Sequence, residues 1–263
     1  MDEESDPVGQ AAESLDDLWP PFAAVPPRRG RAPKPQRAVR DSALSRDEIV
    51  RTAVALADAE GAEAINMRRI AKELRVGTMS LYWHVGSKEH LLDLMLDAVD
   101  GEQEAAAPSG RWQDDLAQLA RQERASLLRH RWKLDFMASR PSLGPNELLR
   151  VERSLACLDV LDIELRIALQ ILMTVTTYVT GSVLNELREI HLEQEQARAG
   201  LSKDDIEAAM VEWTASLRQS RLFPRLLRIF DEGIDPDAAE TRYERFEFGL
   251  GCVLDGTASQ LPS

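Results

Sequence analysis

Residues 66–88 read NMRRIAKELRVGTMSLYWHVGSK, and the fold follows from that stretch. Asn66 is placed to cap a helix, its side-chain oxygen accepting from a free backbone amide. Ile70, Ala71 and Leu74 fall on one face at helical spacing. Arg75-Val76-Gly77 breaks the pattern, and Gly77 is the residue expected to take the strained turn dihedrals. A second short helix, Thr78 to His84, turns Leu81 inward and leaves Thr78, Ser80, Tyr82 and Trp83 outward. Two short helices about a tight turn form a helix-turn-helix, whose second helix enters the major groove of DNA.

The flanking segments fit that unit. Ser45 with Glu48 three residues on is a capping box, and Gly61 is placed to end the helix it begins. Ile49, Val50, Ala53, Val54, Leu56 and Ala57 give that first helix an inner stripe. Ser87 caps a further helix that continues through LLDLMLDAVDGE.

Net charge supports the same reading once it is mapped along the chain. The total is −13, which taken alone argues against a nucleic-acid partner. Residues 1–27 carry seven acids and no base, and residues 28–90 carry 13 bases against 8 acids. The excess positive charge therefore lies around the helix-turn-helix, where phosphate neutralisation needs it. Residues 28–40, RRGRAPKPQRAVR, hold six bases and no acid among Pro, Gly and Ala. Such a segment stays extended until it meets a partner, and Arg28, Arg29, Arg31, Lys34 and Arg37 make it a candidate minor-groove arm. The alternative is a solvated linker.

With those residues in view, positions 44–101 resemble the N-terminal domain of the TetR family of bacterial repressors. LSRDEIVRTAVALADAEG, INMRRIAKELRVGTMSLYWHVGSKEHLLDLML and above all SLYWHVGSKEHLL carry the likeness. The resemblance implies an all-α fold: a three-helix DNA-binding domain, then a helical bundle for ligand binding and dimerisation. It implies phosphate contacts from Tyr82, Trp83 and Lys88 and from the amides of Met67 and Arg68. Arg68 also offers its outward guanidinium. Base reading falls to Thr78, Met79 and Ser80, whose hydroxyls and thioether suit base edges and a thymine methyl. Arg69, Lys72 and Arg75 read as solvated.

From Trp112 onward the chain resembles, at the level of pattern, the C-terminal domain of the tetracycline-repressor branch. Three domains are expected: an acidic then Arg/Pro-rich arm at 1–43, the DNA-binding domain at 44–101, and a ligand and dimer domain at 111–261. Helices are predicted near 112–130, 132–139, 146–161, 163–197, 203–219 and 236–259, the last opening on Pro236. Leu165 to Leu192 and Tyr243 to Leu261 are apolar on more than one face, so both should be buried on several sides. The family joins the corresponding helices into a two-fold dimer, which implies a palindromic double-stranded operator.

The candidate ligand set is Trp132, Phe136, Met137, Met173, Thr174, Thr177, Tyr178 and Trp213. Aromatic and apolar surface with a few hydroxyls suits a hydrophobic or aromatic metabolite or antibiotic. The metal-binding histidine of the tetracycline repressors corresponds here to Phe136, and His84, His90, His130 and His191 have no ligand spacing. No metal and no cofactor are expected. Glu186, Glu189, Glu193 and Glu195 read as a solvated face, and no nucleophile–base spacing or Gly-rich phosphate loop points to an enzyme. Cys157 and Cys252 read as buried thiols of a reducing cytoplasm. No apolar run is read as membrane-spanning and no secretion signal is evident. The expected function is a repressor released by a small molecule, controlling an efflux or antibiotic-related gene. The alternative is an activator or broad-specificity regulator of the same fold.

Overall fold

The computed structural model describes residues 44–103, 107–137 and 143–261. The arm residues Arg28, Arg29, Arg31, Lys34 and Arg37 lie outside the described residues. Every regular element among the described residues is helical, as the expected all-α class requires. The chain divides into two compact units, residues 1–169 and 170–263.

The first unit opens with α1 (Arg46–Glu60), α2 (Met67–Leu74), α3 (Thr78–Val85) and α4 (Lys88–Asp100). Side-chain caps fix three of the four starts. Ser45 accepts from the amide of Glu48, Ser87 from that of His90, and Asn66 from both Arg68 and Arg69. The helices close on a core that includes Ile49, Ala53, Ile70, Leu81, Val85, Leu91 and Met95, all at most 3% exposed. One turn detail departs from expectation. Arg75, not Gly77, takes the left-handed conformation, at φ 56°, while Gly77 is extended. The chain reverses at the C-cap of α2, so the strain falls two residues before the glycine.

After residues 107–111 come α5 (Trp112–Arg129), α6 (Lys133–Met137) and α7 (Pro145–Ala156). They belong to the first unit because α4 is joined to them by buried polar bonds. Asp97 on α4 accepts from the backbone and side-chain nitrogens of Asn146 on α7, at 2.8 and 3.0 Å. Lys133 Nζ on α6 donates to Asp100 Oδ1 of α4 at 2.6 Å and to Glu123 Oε1 of α5 at 3.2 Å. Burial lowers the ammonium's affinity for its proton, but Glu123 and Asp100 outweigh that and raise it. Burial pushes the Glu123 carboxyl up, and Lys133 and Arg150 more than reverse it. Asp97 and Glu147 move the other way: burial holds both above the usual carboxylate range, despite bonds to Asn146 and Arg150 respectively. α7 ends earlier than expected, at Ala156. A short 3-10 turn at Asp159–Leu161 and a left-handed Asp162 finish the segment.

The second unit takes in most of α8 (Leu165–Arg198), then α9 (Lys203–Ser220), α10 (Pro224–Asp231) and α11 (Arg242–Ser259). Contrary to the sequence reading, α8 is long and apolar enough to cross a membrane by length and composition. Its packing contacts are those of a bundle helix. Tyr178 donates to the carbonyl of Phe246 on α11 at 2.7 Å and stacks on that ring. Glu189, 4% exposed, is held by Arg242 and Arg245, which removes it from the expected solvated face. Val179, Val183, Phe246 and Leu250 are buried. α10 was not expected, since helices were predicted at 203–219 and 236–259 with none between; Pro224 occupies its first helical position, where a missing N–H costs nothing. The final helix begins at Arg242, six residues later than expected, behind a 3-10 turn at Ala239–Thr241. Cys157 is buried as expected, whereas Cys252 is exposed.

Lys133→Ala leaves two buried carboxylates without their cation, and such losses cost about 3–5 kcal/mol. Chemical denaturation should show a deficit of that order. Gly144 lies against the Asp97 carboxylate, with no space for a methyl group. Gly144→Ala should cost about 1–3 kcal/mol by overpacking, and an unchanged midpoint would contradict the close approach.

Candidate nucleic-acid interface

α3 has two faces with separate tasks. Leu81 and Val85 are fully buried and bolt the helix to the core. On the other side Met79 is 78% exposed, Trp83 59% and Tyr82 41%. Ser80 is exposed and Thr78 half-buried. Three large side chains facing water on an eight-residue helix form the kind of patch that marks an interaction surface. Trp83 meets the edge of His84, with ring centroids 5.3 Å apart.

The N-terminus of α3 also differs from its neighbours. Gly77 precedes it and supplies no side-chain cap, unlike Ser45, Asn66 and Ser87. The positive end of the helix dipole is thus presented beside Thr78 and Met79. Recognition helices approach base edges with their N-terminal residues, and that end of α3 carries the short hydrogen-bonding side chains.

Of the remaining candidates, Lys88 is exposed in the first turn of α4 and Arg68 is exposed on α2. The Arg68 amide donates to Asn66 Oδ1 at 3.0 Å, so Arg68 can bring its guanidinium to a phosphate but not that amide. The Met67 side chain is buried, at 6% exposure, which leaves only its backbone for such a contact. Arg69 is not solvated as expected. It bridges Glu60 of α1 and Glu73 of α2, at 2.6 and 2.8 Å. Its charge is used within the domain, whereas Arg68 and Lys88 remain exposed.

The expected ligand residues are dispersed. In the first unit Trp132 is 2% exposed, belongs to the core shared with α1–α4, and donates from Nε1 to Asp58 at 2.7 Å. Phe136 packs against it and Met137 is partly exposed. In the second unit Met173 is 62% exposed and Thr174 bonds its own helix at Gln170. Trp213 packs edge-on against Phe230 of α10. Thr177 and Tyr178 line a cleft between α8 and α11.

A different and much smaller cleft, of about 30 Å³, lies within the first unit. Asp100, Gln103, Gln118, Gln122, Arg150 and Arg153 are among its lining residues. Residue-by-residue reading for aromatic side chains passed over it. The signal that could have found it is polar: Asp97 and Asp100 occupy buried positions of α4, where an apolar stripe alone would be expected. Among the described residues, no group of three or more His, Cys, Asp and Glu is arranged to hold a metal ion.

Comparison with known proteins agrees with this architecture. Residues 49–95 match the family model of bacterial regulatory proteins, tetR family, and residues 104–261 match that of the tetracyclin repressor-like C-terminal domain. The chain is 33% identical over 250 residues to the HTH-type transcriptional repressor DrrR1 of Streptomyces coeruleorubidus, covering 94% of this chain and 86% of that one. It is 28% identical over 225 residues to the class E tetracycline repressor protein of Escherichia coli, covering 83% of this chain and 92% of the repressor. Among solved structures, the TetR family protein ActR of Streptomyces coelicolor in complex with (S)-DNPA matches with a TM-score of 0.64 at 30% identity, over 84% of this chain and 100% of that one. The same protein in complex with actinorhodin gives 0.65 at 29%, with the same coverage.

Met79→Ala and Trp83→Ala should each leave stability within about 0.5 kcal/mol, as for exposed positions generally, yet weaken binding to a duplex selected by the parent chain. Thr78→Ala should change which base is preferred, whereas Lys88→Ala should weaken all duplexes alike. Uniform loss for Thr78→Ala would remove it from base reading.

Proposed function

The chain belongs to the tetR family of bacterial regulatory proteins, so it is a DNA-binding transcriptional regulator and not an enzyme, and we propose that it is a cytoplasmic repressor released from a palindromic operator by a small molecule. The observation that carries this reading is the division of labour on α3. Leu81 and Val85 hold the helix while Met79, Tyr82 and Trp83 face outward. On this reading residues 44–101 dock on DNA, with Thr78, Met79 and Ser80 at base edges. Tyr82, Trp83, Lys88 and Arg68 lie along the phosphates. The arm at residues 28–40 adds backbone charge and reaches the adjacent minor groove.

The regulatory part, residues 111–261, takes the inducer and forms the homodimer. Leu169, Met173, Leu184 and Leu192 of α8 and Phe248 of α11 are each between 47% and 76% exposed. A second copy of the same two helices would cover that apolar surface and set the spacing of two reading heads. The cleft between α8 and α11, about 400 Å³ and lined by the expected Thr177 and Tyr178 together with Asn185, Glu186, Arg242 and Arg245, supports an inducer site. Its amide and charged lining favours a ligand rich in hydrogen-bonding groups alongside any aromatic body. Ligand-bound ActR structures support a small-molecule metabolite as the class, and the tetracycline repressor relatives support an antibiotic-related or efflux gene as the target. The physics of release is linkage: a ligand that prefers the dimer geometry misfitting DNA lowers operator affinity by that same preference.

A gel-shift with the promoter of the neighbouring gene tests this directly. Binding should be tight, and a cognate metabolite should abolish it. A tightly bound compound that leaves the DNA complex intact is not the inducer. Removing residues 1–40 should lower affinity and flatten its salt dependence, because fewer counterions are released. Equal salt slopes for the two chains would reduce the arm to a linker.

A further inference from the structure

α4 is not the only tie between α1–α4 and the helices after them. His130 closes α5 as its C-cap and is 3% exposed. Its Nδ1 lies 2.8 Å from Asp58 Oδ1 on α1, and its Nε2 lies 3.2 Å from Glu102 Oε2, two residues beyond α4. Trp132 Nε1 donates to the same Asp58 oxygen at 2.7 Å. Arg129 donates to the same Glu102 oxygen at 3.2 Å. The end of α5 therefore grips both the last turn of α1 and the end of α4.

The two histidine bonds differ from the others in one respect. An ionised carboxylate only accepts, and a neutral imidazole has a single N–H to give. Both bridges form together only when both ring nitrogens carry protons. Loss of one proton leaves one carboxylate facing a bare nitrogen lone pair. The charged groups around the ring are Asp58 from α1, Glu102 from beyond α4 and Arg129 from α5 itself.

We propose that His130 is a positioning residue: its imidazolium latches α1 and the end of α4 to α5, and so pre-orients the DNA-reading helices. An unlatched module must be ordered when it docks, and that ordering lowers affinity. Operator affinity is then greatest while both ring nitrogens of His130 carry protons and falls when one is lost. This inference rests on the DNA-binding reading and is independent of any inducer.

The probe is a duplex selected from a random pool by the parent chain at pH 6, with affinities then measured from pH 6 to pH 8. The parent should lose about tenfold more affinity over that range than His130→Gln, corresponding to one charge-assisted hydrogen bond. Glu102→Gln is the decisive second variant. Its amide can accept from the imidazolium or donate to the neutral ring, so both bridges persist at either pH. It should keep the parent's pH 6 affinity at pH 8, with unchanged circular dichroism. His84, His90 and His191 are common to the parent and both variants, so any contribution from them cancels in the comparison. Parallel pH slopes for the three proteins would overturn the latch while leaving the DNA-binding reading intact. Failure of the parent to select any duplex would overturn both.

Discussion

The ammonium of Lys133 sits between Asp100 and Glu123, almost sealed from water. A buried cation with two carboxylates gains Coulomb energy that roughly offsets the desolvation of all three, so its net contribution to stability is modest. Its geometric contribution is larger. The three groups come from α4, α5 and α6, and the Lys133 ammonium is the group that joins the two carboxylates. Asn146 on Asp97 adds α7 to the same end of α4. A helix that both anchors the reading pair and ends in a charged, buried cluster is a rigid connector. A small cleft beside it, of about 30 Å³, has Asp100 and Arg150 in its wall.

The parts of the fold legible in the sequence are those where local chemistry and tertiary role coincide. Ser45, Asn66 and Ser87 cap the helices they were expected to cap, because a cap is a contact within three residues. Leu81 points inward for the same reason, helical period and burial agreeing, while Val85, just past the expected end of the helix, is a second anchor that only the structure shows. The misreadings share an opposite origin. Gly77 was expected in the left-handed turn, but Arg75 takes it, since the C-cap of α2 needs its reversal earlier. The stretch between the helices expected at 203–219 and 236–259 was left without one, yet Pro224 begins α10 there, a choice local sequence leaves open.

The site divides along the same line. Tyr82 and Trp83 could be placed from spacing because a short helix that buries Leu81 turns its other face outward, whereas Met79 came only with the resemblance. Arg69 could not, since its partner Glu60 is nine residues away on another helix. Glu189 was assigned to solvent on charge alone, yet Arg242 and Arg245, more than fifty residues distant, hold it inside. The charged lining of the cleft in the first unit was illegible for the same reason: α4, α5, α7 and the segments that follow α4 contribute to it, and only the folded chain assembles them.

On α3, the residues that hold the fold and the residues that face outward are disjoint sets. Leu81 and Val85 could remain fixed while the sequence between and around them is exchanged, because exposed positions contribute little to folding free energy. Such a scaffold tolerates wholesale resurfacing of its reading helix. Operator preference can therefore drift, or be re-engineered, along a path on which every intermediate still folds.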